Sequence, residues 1–339
     1  MHNNQLDAVQ DYYSKVLQTK SDLKTTACCS AESMPEHLKL FASQIHPEVL
    51  SKFYGCGVPI PPALEGCKVL DLGCGTGRDC FLLSKLVGPH GAVIGIDMTE
   101  SQLATARNYI NETNIRFVHG YIEDLKSADI GDNTIDTVVS NCVINLSPAK
   151  ERVFSEIFRV LKPGGELYFS DVFCDRRLSE DMRNDQVLLG ECLGGAMYIE
   201  DFRRLMNKSG CADYRTINSI PITITNSEVK AKIGAANFFS LTIRAFKLNL
   251  EDKCEDYGEV AYYRGGIPES PNSFLLDDHH FFEKNKPMLV CSNTSDMVLK
   301  TRYQPYFEVI GKRDQHFGLF DCVSPAPQTS SATTGGSCC

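Results

Sequence analysis

The sequence contains no apolar run near the roughly 20 residues a membrane-spanning helix needs. Its opening "MHNNQLDAVQ" lacks the charged-then-apolar pattern of a secretory signal. It also lacks a basic stripe: 34 Lys and Arg stand against 43 Asp and Glu, leaving a net charge of −9. A nucleic-acid surface must neutralise phosphates, so that balance argues against one. No internal repeat is visible. These absences lead us to expect a cytosolic monomer acting on a small or weakly charged substrate, with neither nucleic acid nor membrane as partner.

Cysteine is plentiful without being dense. The 15 cysteines in 339 residues fall well below the ~8–10% of disulfide scaffolds. A chain this long can bury a core without staples. The thiols should be largely reduced, which leaves packing, soft-metal binding or redox chemistry for them.

Along the chain, residues 1–25 carry apolar positions at helical spacing, and a second helical stretch runs from Pro35 to Leu50. From Lys68, short apolar runs alternate with helical ones: "KVLDLG", "GAVIGIDM", "IRFVHG", "IDTVVSN" and "GELYFSDVF" read as strands. Strand–helix alternation at this spacing predicts an α/β, doubly wound, mostly parallel sheet. "TINSIPITIT" and "FFSLTIRAFKL" would complete it as a hairpin-like pair. The organisation expected is an N-terminal helical segment (1–60), a Rossmann-like core (61–175), a lid with sheet-completing strands (176–250), a small C-terminal α+β unit (251–322) and a low-complexity tail (323–339).

"VLDLGCGTGRDC" places Gly73, Gly75 and Gly77 between a strand and a helix, where glycines permit a tight turn close to a ligand. The third glycine comes one residue early for a dinucleotide fingerprint. Asp71 precedes the loop, and Asp97 ends the next strand, placed to accept both hydroxyls of a ribose. With "LKPGGELYFSD", this pattern resembles the class I S-adenosylmethionine-dependent methyltransferases. The resemblance implies a cofactor site built from Asp71, Gly73, Cys74, Gly75 and Gly77, with Asp97 on the ribose. Met98 would pack on the adenine, Ile122 and Glu123 would frame its edge, and Asn141 would close the site.

In "SNCVINLSP", Cys142 follows the fourth strand, where this fold keeps its substrate. The stretch offers sulfur and no general base. Here the sequence resembles the arsenite methyltransferases, on "LKTTAC", "FYGCG", "DLGCGTGRDC", "GIDMT", "HGYIE", "SNCVINL" and "GECLGGA". The resemblance implies Cys142 and Cys192 as ligands of trivalent arsenic. Cys56 would be a third sulfur or the partner of another cysteine during turnover, and Cys28, beside Cys29, the redox partner. Thioredoxin or glutathione would reset the enzyme. Trivalent arsenic is thiophilic, which accounts for the residue type. "IGAANFF" has Ala235 and Ala236 where some relatives carry a further cysteine.

Taken singly, a cysteine after a buried strand is most often a small core residue; the four contexts together favour arsenic. Cys67, Cys74, Cys80, Cys174, Cys211, Cys254, Cys291 and Cys322 are assigned packing or incidental surface roles for their thiols. Cys338 and Cys339 suit arsenic capture, a functionless tail or, least, lipidation. Tyr54 could wall the arsenic pocket. Glu191 could face the sulfonium or substrate, or be a solvated helix residue, and His119 reads as structural. Two rival functions are a methyltransferase for a small organic acceptor and a thiol-based arsenic sensor that performs no transfer.

Overall fold

The protein is described from a computed structural model covering residues 34–53 and 55–322. The helix expected over 1–25, Cys28 and Cys29, Tyr54, and the tail with Cys338 and Cys339 lie outside these residues. The stretch read as one helix from Pro35 to Leu50 is two, α1 (Glu36–Ala42) and α2 (Pro47–Ser51). Pro47 opens the second, where its missing amide costs nothing, and the His46 side chain accepts the Glu48 amide.

Five strands are parallel: β1 (Lys68–Leu72), β2 (Ala92–Asp97), β3 (Ile115–His119), β4 (Ile135–Asn141) and β5 (Leu161–Cys174). Between them run α3 (Arg78–Val87), α4 (Glu100–Tyr109) and α5 (Lys150–Val160). After Lys68, strand β1 is apolar on both faces except at Asp71, because helices cover a parallel sheet on each side. Helix α5 turns Val153, Phe154, Ile157 and Phe158 inward at helical spacing.

Next come α6 (Glu180–Asn184), α7 (Gln186–Gly190), a two-residue strand β6 (Met197–Tyr198), α8 (Ile199–Lys208), β7 (Tyr214–Pro221), α9 (Ser227–Ile233) and β8 (Phe238–Phe246). The main path of the sheet is ordered β3-β2-β1-β4-β5-β8-β7, with β6 beside β5. Strand β8 runs antiparallel to both β5 and β7, the expected closing pair. The order reverses beside β1, which opens a crevice over the carboxyl ends of β1 and β4.

The expected lid helix is broken. Asp185 separates α6 from α7 by accepting the Val187 and Leu188 amides, so a new helix starts there. Cys192 therefore lies two residues beyond α7, not within a helix. The strand expected over "GELYFSDVF" starts earlier, with "LKPGG" already part of β5, and shifts register against β4 between Ile135 and Thr137.

The C-terminal part has a second core built on a three-stranded sheet. Strand β9 (Glu255–Asp256) precedes β10 (Glu259–Tyr263), β11 (Ser273–Leu275), β12 (Phe281–Glu283) and β13 (Pro287–Val290). Helix α10 (Ser292–Leu299), β14 (Phe307–Ile310) and β15 (Gly318–Leu319) follow. Strand β10 lies between β13 and β14, over a packed layer that includes Tyr263, Phe274, Phe282 and Tyr303. A buried network ties this unit to the main sheet. Arg244 of β8 donates to Glu166 of β5 at 2.5 Å and to the carbonyls of Leu275 and Leu276 at 3.0 and 2.6 Å. Tyr303 and Arg302 also meet Glu166. Among the described residues no helix is long and apolar enough to cross a membrane.

Candidate active site

The crevice holds a cavity with an empty volume of about 970 Å³, open solvent at its mouth included. Of the ten residues expected to hold a cofactor, Asp71, Gly73, Cys74, Gly75, Asp97, Met98, Ile122, Glu123 and Asn141 line it. Gly77 does not. It is the N-cap of α3, and a Cβ there would come within 2.8–3.0 Å of Ile110 and Phe117.

The other two loop glycines serve different ends. Gly73 (φ +66°) has Val143 against it, so a Cβ would meet the valine at 2.4 Å. Gly75 (φ +52°) has no atom within 4 Å of a Cβ position, leaving its backbone open to a ligand. The Gly75 amide donates to Asp97 at 2.9 Å, and the Thr99 amide donates to the other carboxylate oxygen at 2.8 Å. Thr99 is the N-cap of α4, but its side chain makes no capping bond to the helix. Burial raises the Asp97 carboxyl, against the backbone donors that lower it. Asp71 is raised further, first by burial and then by the neighbouring Asp79, while the Cys80 thiol donates to it at 3.2 Å. His119 bonds the Met98 carbonyl through Nε2 at 3.0 Å, consistent with a structural histidine.

Asp79, Thr76, Phe53 and Ser147 also line the cavity and were not singled out in the sequence. Asp79 stood inside the quoted loop motif. Ser147 donates its hydroxyl to Glu123 in a close contact. Phe53 lies under the Arg78 guanidinium, 3.8 Å from the ring centroid.

Three of the four expected cysteines meet at the floor of this crevice. Cys56 and Cys142 form a disulfide with Cα atoms 5.9 Å apart. The Cys192 thiol donates to the Cys142 carbonyl at 3.6 Å. Cys142 also lines the cavity, so one residue faces both the expected cofactor space and the sulfur cluster.

The backbone is forced at both cysteines. Cys142 has φ +56° and Cys192 has φ +61°. A side chain in that left-handed region costs about 1–2 kcal/mol, and such strain persists where surrounding structure holds it. The Ser170 carbonyl accepts the Cys142 amide at 2.9 Å. The Cys192 turn is held by contact: a Cβ on Gly195 would lie 2.0 Å from the Asn145 carbonyl oxygen in the turn after Cys142. The Cys56 carbonyl accepts from Ser240 of β8 at 2.9 Å.

One acid went unnoticed in the sequence. Asp171 of β5 is buried, and one of its oxygens lies with the Cys56 and Cys142 sulfurs in a group whose members are all within 4.8 Å of one another. It accepts the amides of Asn145 and Val172 at 3.0 and 2.8 Å. Burial pushes its carboxyl up to about 7. Burial likewise lowers Lys150 to about 8. Glu191 is fully buried and not the solvated residue that was one of its expected alternatives. Ala236 packs in the same apolar cluster as the three cysteines.

A methyltransferase-domain family model matches residues 63–210. The chain is 51% identical to an arsenite methyltransferase of Aquipseudomonas alcaligenes, over 98% of this chain and 99% of that relative. It is 41% identical to an arsenite methyltransferase of Homo sapiens, over 88% of this chain and 82% of the human one. A crystal structure of an arsenic(III) S-adenosylmethionine methyltransferase from Chlamydomonas reinhardtii superposes with a TM-score of 0.82 at 47% identity, covering 85% of this chain and 100% of that one. With the glycine loop, the acid that ends β2 and the sulfur cluster around one crevice, the chain belongs to the arsenite methyltransferase family.

Proposed function

We propose that the protein methylates trivalent arsenic with S-adenosylmethionine, holding the arsenic on cysteine sulfur at the floor of the crevice. The observation that carries this reading is the position of Cys142, shared between the cofactor cavity and the cluster with Cys56 and Cys192. The residues present fit the cofactor. Gly75 leaves its backbone open, and Asp97 is a half-buried acceptor at the strand end beside it.

When bound, the cofactor supplies a methyl group on a sulfonium that leaves without needing a proton. The chain's own part is to bind and orient. With the disulfide reduced, Cys142, Cys192 and Cys56 would exchange their protons for arsenic, releasing the hydroxyls of arsenite as water. Holding the arsenic lone pair toward the methyl group supplies the orientation. Transfer raises arsenic to the pentavalent state. Closing the Cys56–Cys142 disulfide would return two electrons to it, and a dithiol such as thioredoxin, or glutathione, would reopen the bond. Cys28 remains a proposed relay for that exchange.

The test incubates purified protein with arsenite, S-adenosylmethionine and a thiol reductant, then measures methylated arsenic and S-adenosylhomocysteine together. Both should appear in step and vanish in Cys142→Ser. Bound arsenite with no S-adenosylhomocysteine would reduce the protein to a thiol sensor. Full turnover by Cys142→Ser and Cys192→Ser with an organic acceptor would replace arsenic as the substrate.

A further inference from the structure

Three thiols that looked incidental in the sequence converge at the C-terminal unit. Strand β9 pairs with β15, matching Glu255 to Leu319. Just outside that pairing, the Phe320 amide donates to the Cys254 carbonyl at 2.7 Å, and the Cys322 amide to the Phe320 carbonyl at 3.1 Å. The pairing brings Cys322 beside Cys254, close enough for each thiol to shift the titration of the other. Cys254 and Cys291, which lies between β13 and α10, influence one another in the same way. Cys254 is thus the middle sulfur of three. All three are free thiols, graded from buried Cys291 through half-buried Cys254 to exposed Cys322.

The surroundings favour a thiolate. Cys291 is the N-cap of α10, and the Thr294 amide donates to its sulfur at 3.4 Å. The Arg215 guanidinium, itself buried, donates to the same sulfur at 3.9 Å. The Cys254 contact, then Arg215, then Thr294 pull the Cys291 thiol down, against burial, while the same contact raises Cys254. The same guanidinium is held by both oxygens of Asp213 at 2.8 and 2.6 Å and by Asp277 at 3.0 Å, so Cys291 lies at the edge of a buried charged cluster.

We propose that Cys254, Cys291 and Cys322 form a second binding site for a trivalent arsenical, separate from the methyl-transfer crevice. The residues lining the cofactor cavity lie between Lys52 and Ser147, and none comes from the segments that carry these thiols. Binding is ligand exchange with no change of oxidation state. Three As–O bonds of arsenite break and three As–S bonds form; the three thiol protons leave with the hydroxyls as water. Cys291 and Cys254 would take the arsenic first, and exposed Cys322 would swing in as the third sulfur. Soft thiolate sulfur selects this class of ligand over hard cations.

The site is tested with sodium arsenite alone, without cofactor, so the result does not depend on the proposed methyl transfer. In the full-length chain, Cys28, Cys29, Cys56, Cys142, Cys192, Cys338 and Cys339 are changed to serine. Native mass spectrometry should then find one arsenic per chain, and thiol titration a loss of three reactive thiols. Adding Cys254→Ser should abolish binding. Cys322→Ser, at an exposed position, should weaken it at least tenfold and lower the thiol loss to two. A cooperative thermal unfolding transition matching that of the seven-serine parent reports that each added variant is folded. No arsenic bound to the folded protein, or binding indifferent to both Cys254→Ser and Cys322→Ser, would overturn the proposal.

Discussion

Asn141 latches the Cys56 loop to the end of β4: its Oδ1 accepts the Cys56 amide at 3.0 Å. Its amide nitrogen donates to the Gly57 carbonyl and to Asp79, each at 3.0 Å. One side chain thereby sets the distance between a loop cysteine and the cysteine that follows the strand. It also couples the sulfur cluster to a wall of the cofactor cavity.

Asn141→Ala leaves three buried polar groups without this partner and should cost about 3 kcal/mol of stability. The disulfide should form more slowly, because the Cys56 loop is no longer held beside Cys142. Denaturant unfolding of the reduced protein and the rate of thiol loss on oxidation would measure both effects. An unchanged oxidation rate would mean that other contacts, such as Ser240 on the Cys56 carbonyl, are enough to hold the loop.

Asp97→Ala should weaken S-adenosylmethionine binding roughly ten- to a hundredfold, the range of losing about 1.5–3 kcal/mol of hydrogen bonding to a charged group. Arsenite binding to the reduced protein should stay the same, since the sulfurs lie elsewhere. Calorimetric titration with each ligand separately distinguishes a cofactor role from general damage. Equal losses for both would assign Asp97 to the architecture of the loop.

Asp171 should give stability a recognisable pH dependence. Its carboxyl is ordinary in the unfolded chain and raised to about 7 in the fold, with burial the chief cause. Between about pH 4 and 7 the folded state therefore holds a proton that the unfolded state has released. Stability falls as pH rises through that window and levels off above it, by an amount on the order of 4 kcal/mol. Asp171→Asn should flatten the slope in unfolding experiments across the window. A variant curve parallel to wild type would show that other groups carry the slope.

Glu166→Gln should loosen the C-terminal unit. Glu166 is fully buried against Arg244, Arg302 and Tyr303, and removing its charge leaves two buried guanidinium groups uncompensated. Breaking such a network costs about 3–5 kcal/mol. Limited proteolysis should then release a fragment from residues beyond Leu250 before the rest of the protein unfolds. Cooperative loss of the entire chain would instead show that the two cores unfold together.

The parallel sheet was legible because each of its strands is a short apolar run bounded by helical pattern, and tertiary context did not oppose that pattern. The lid was less legible. An Asp in the middle of "SEDMRNDQVLL" looks like an ordinary helix residue, and only its bonds to two following amides make it a helix start. Gly77 was read with its loop neighbours because spacing does not tell a glycine facing a ligand from one packed on Ile110 and Phe117. Asp171 gave no signal, since an acid in a largely apolar strand has no visible partner along the chain.

By itself the sequence determined the α/β order, the glycine loop with Asp71 and Asp97, and the supply of thiols. These follow from local periodicity and residue type, which survive in one dimension. Which thiols meet was decided by the tertiary structure. Packing of loops and turns on the sheet carries Cys56 to Cys142 and Cys192 to their edge, and the β9–β15 pairing carries Cys322 to Cys254, across separations over which the chain carries no pattern. A thiolate site requires sulfurs a few ångströms apart, and only packing sets that distance.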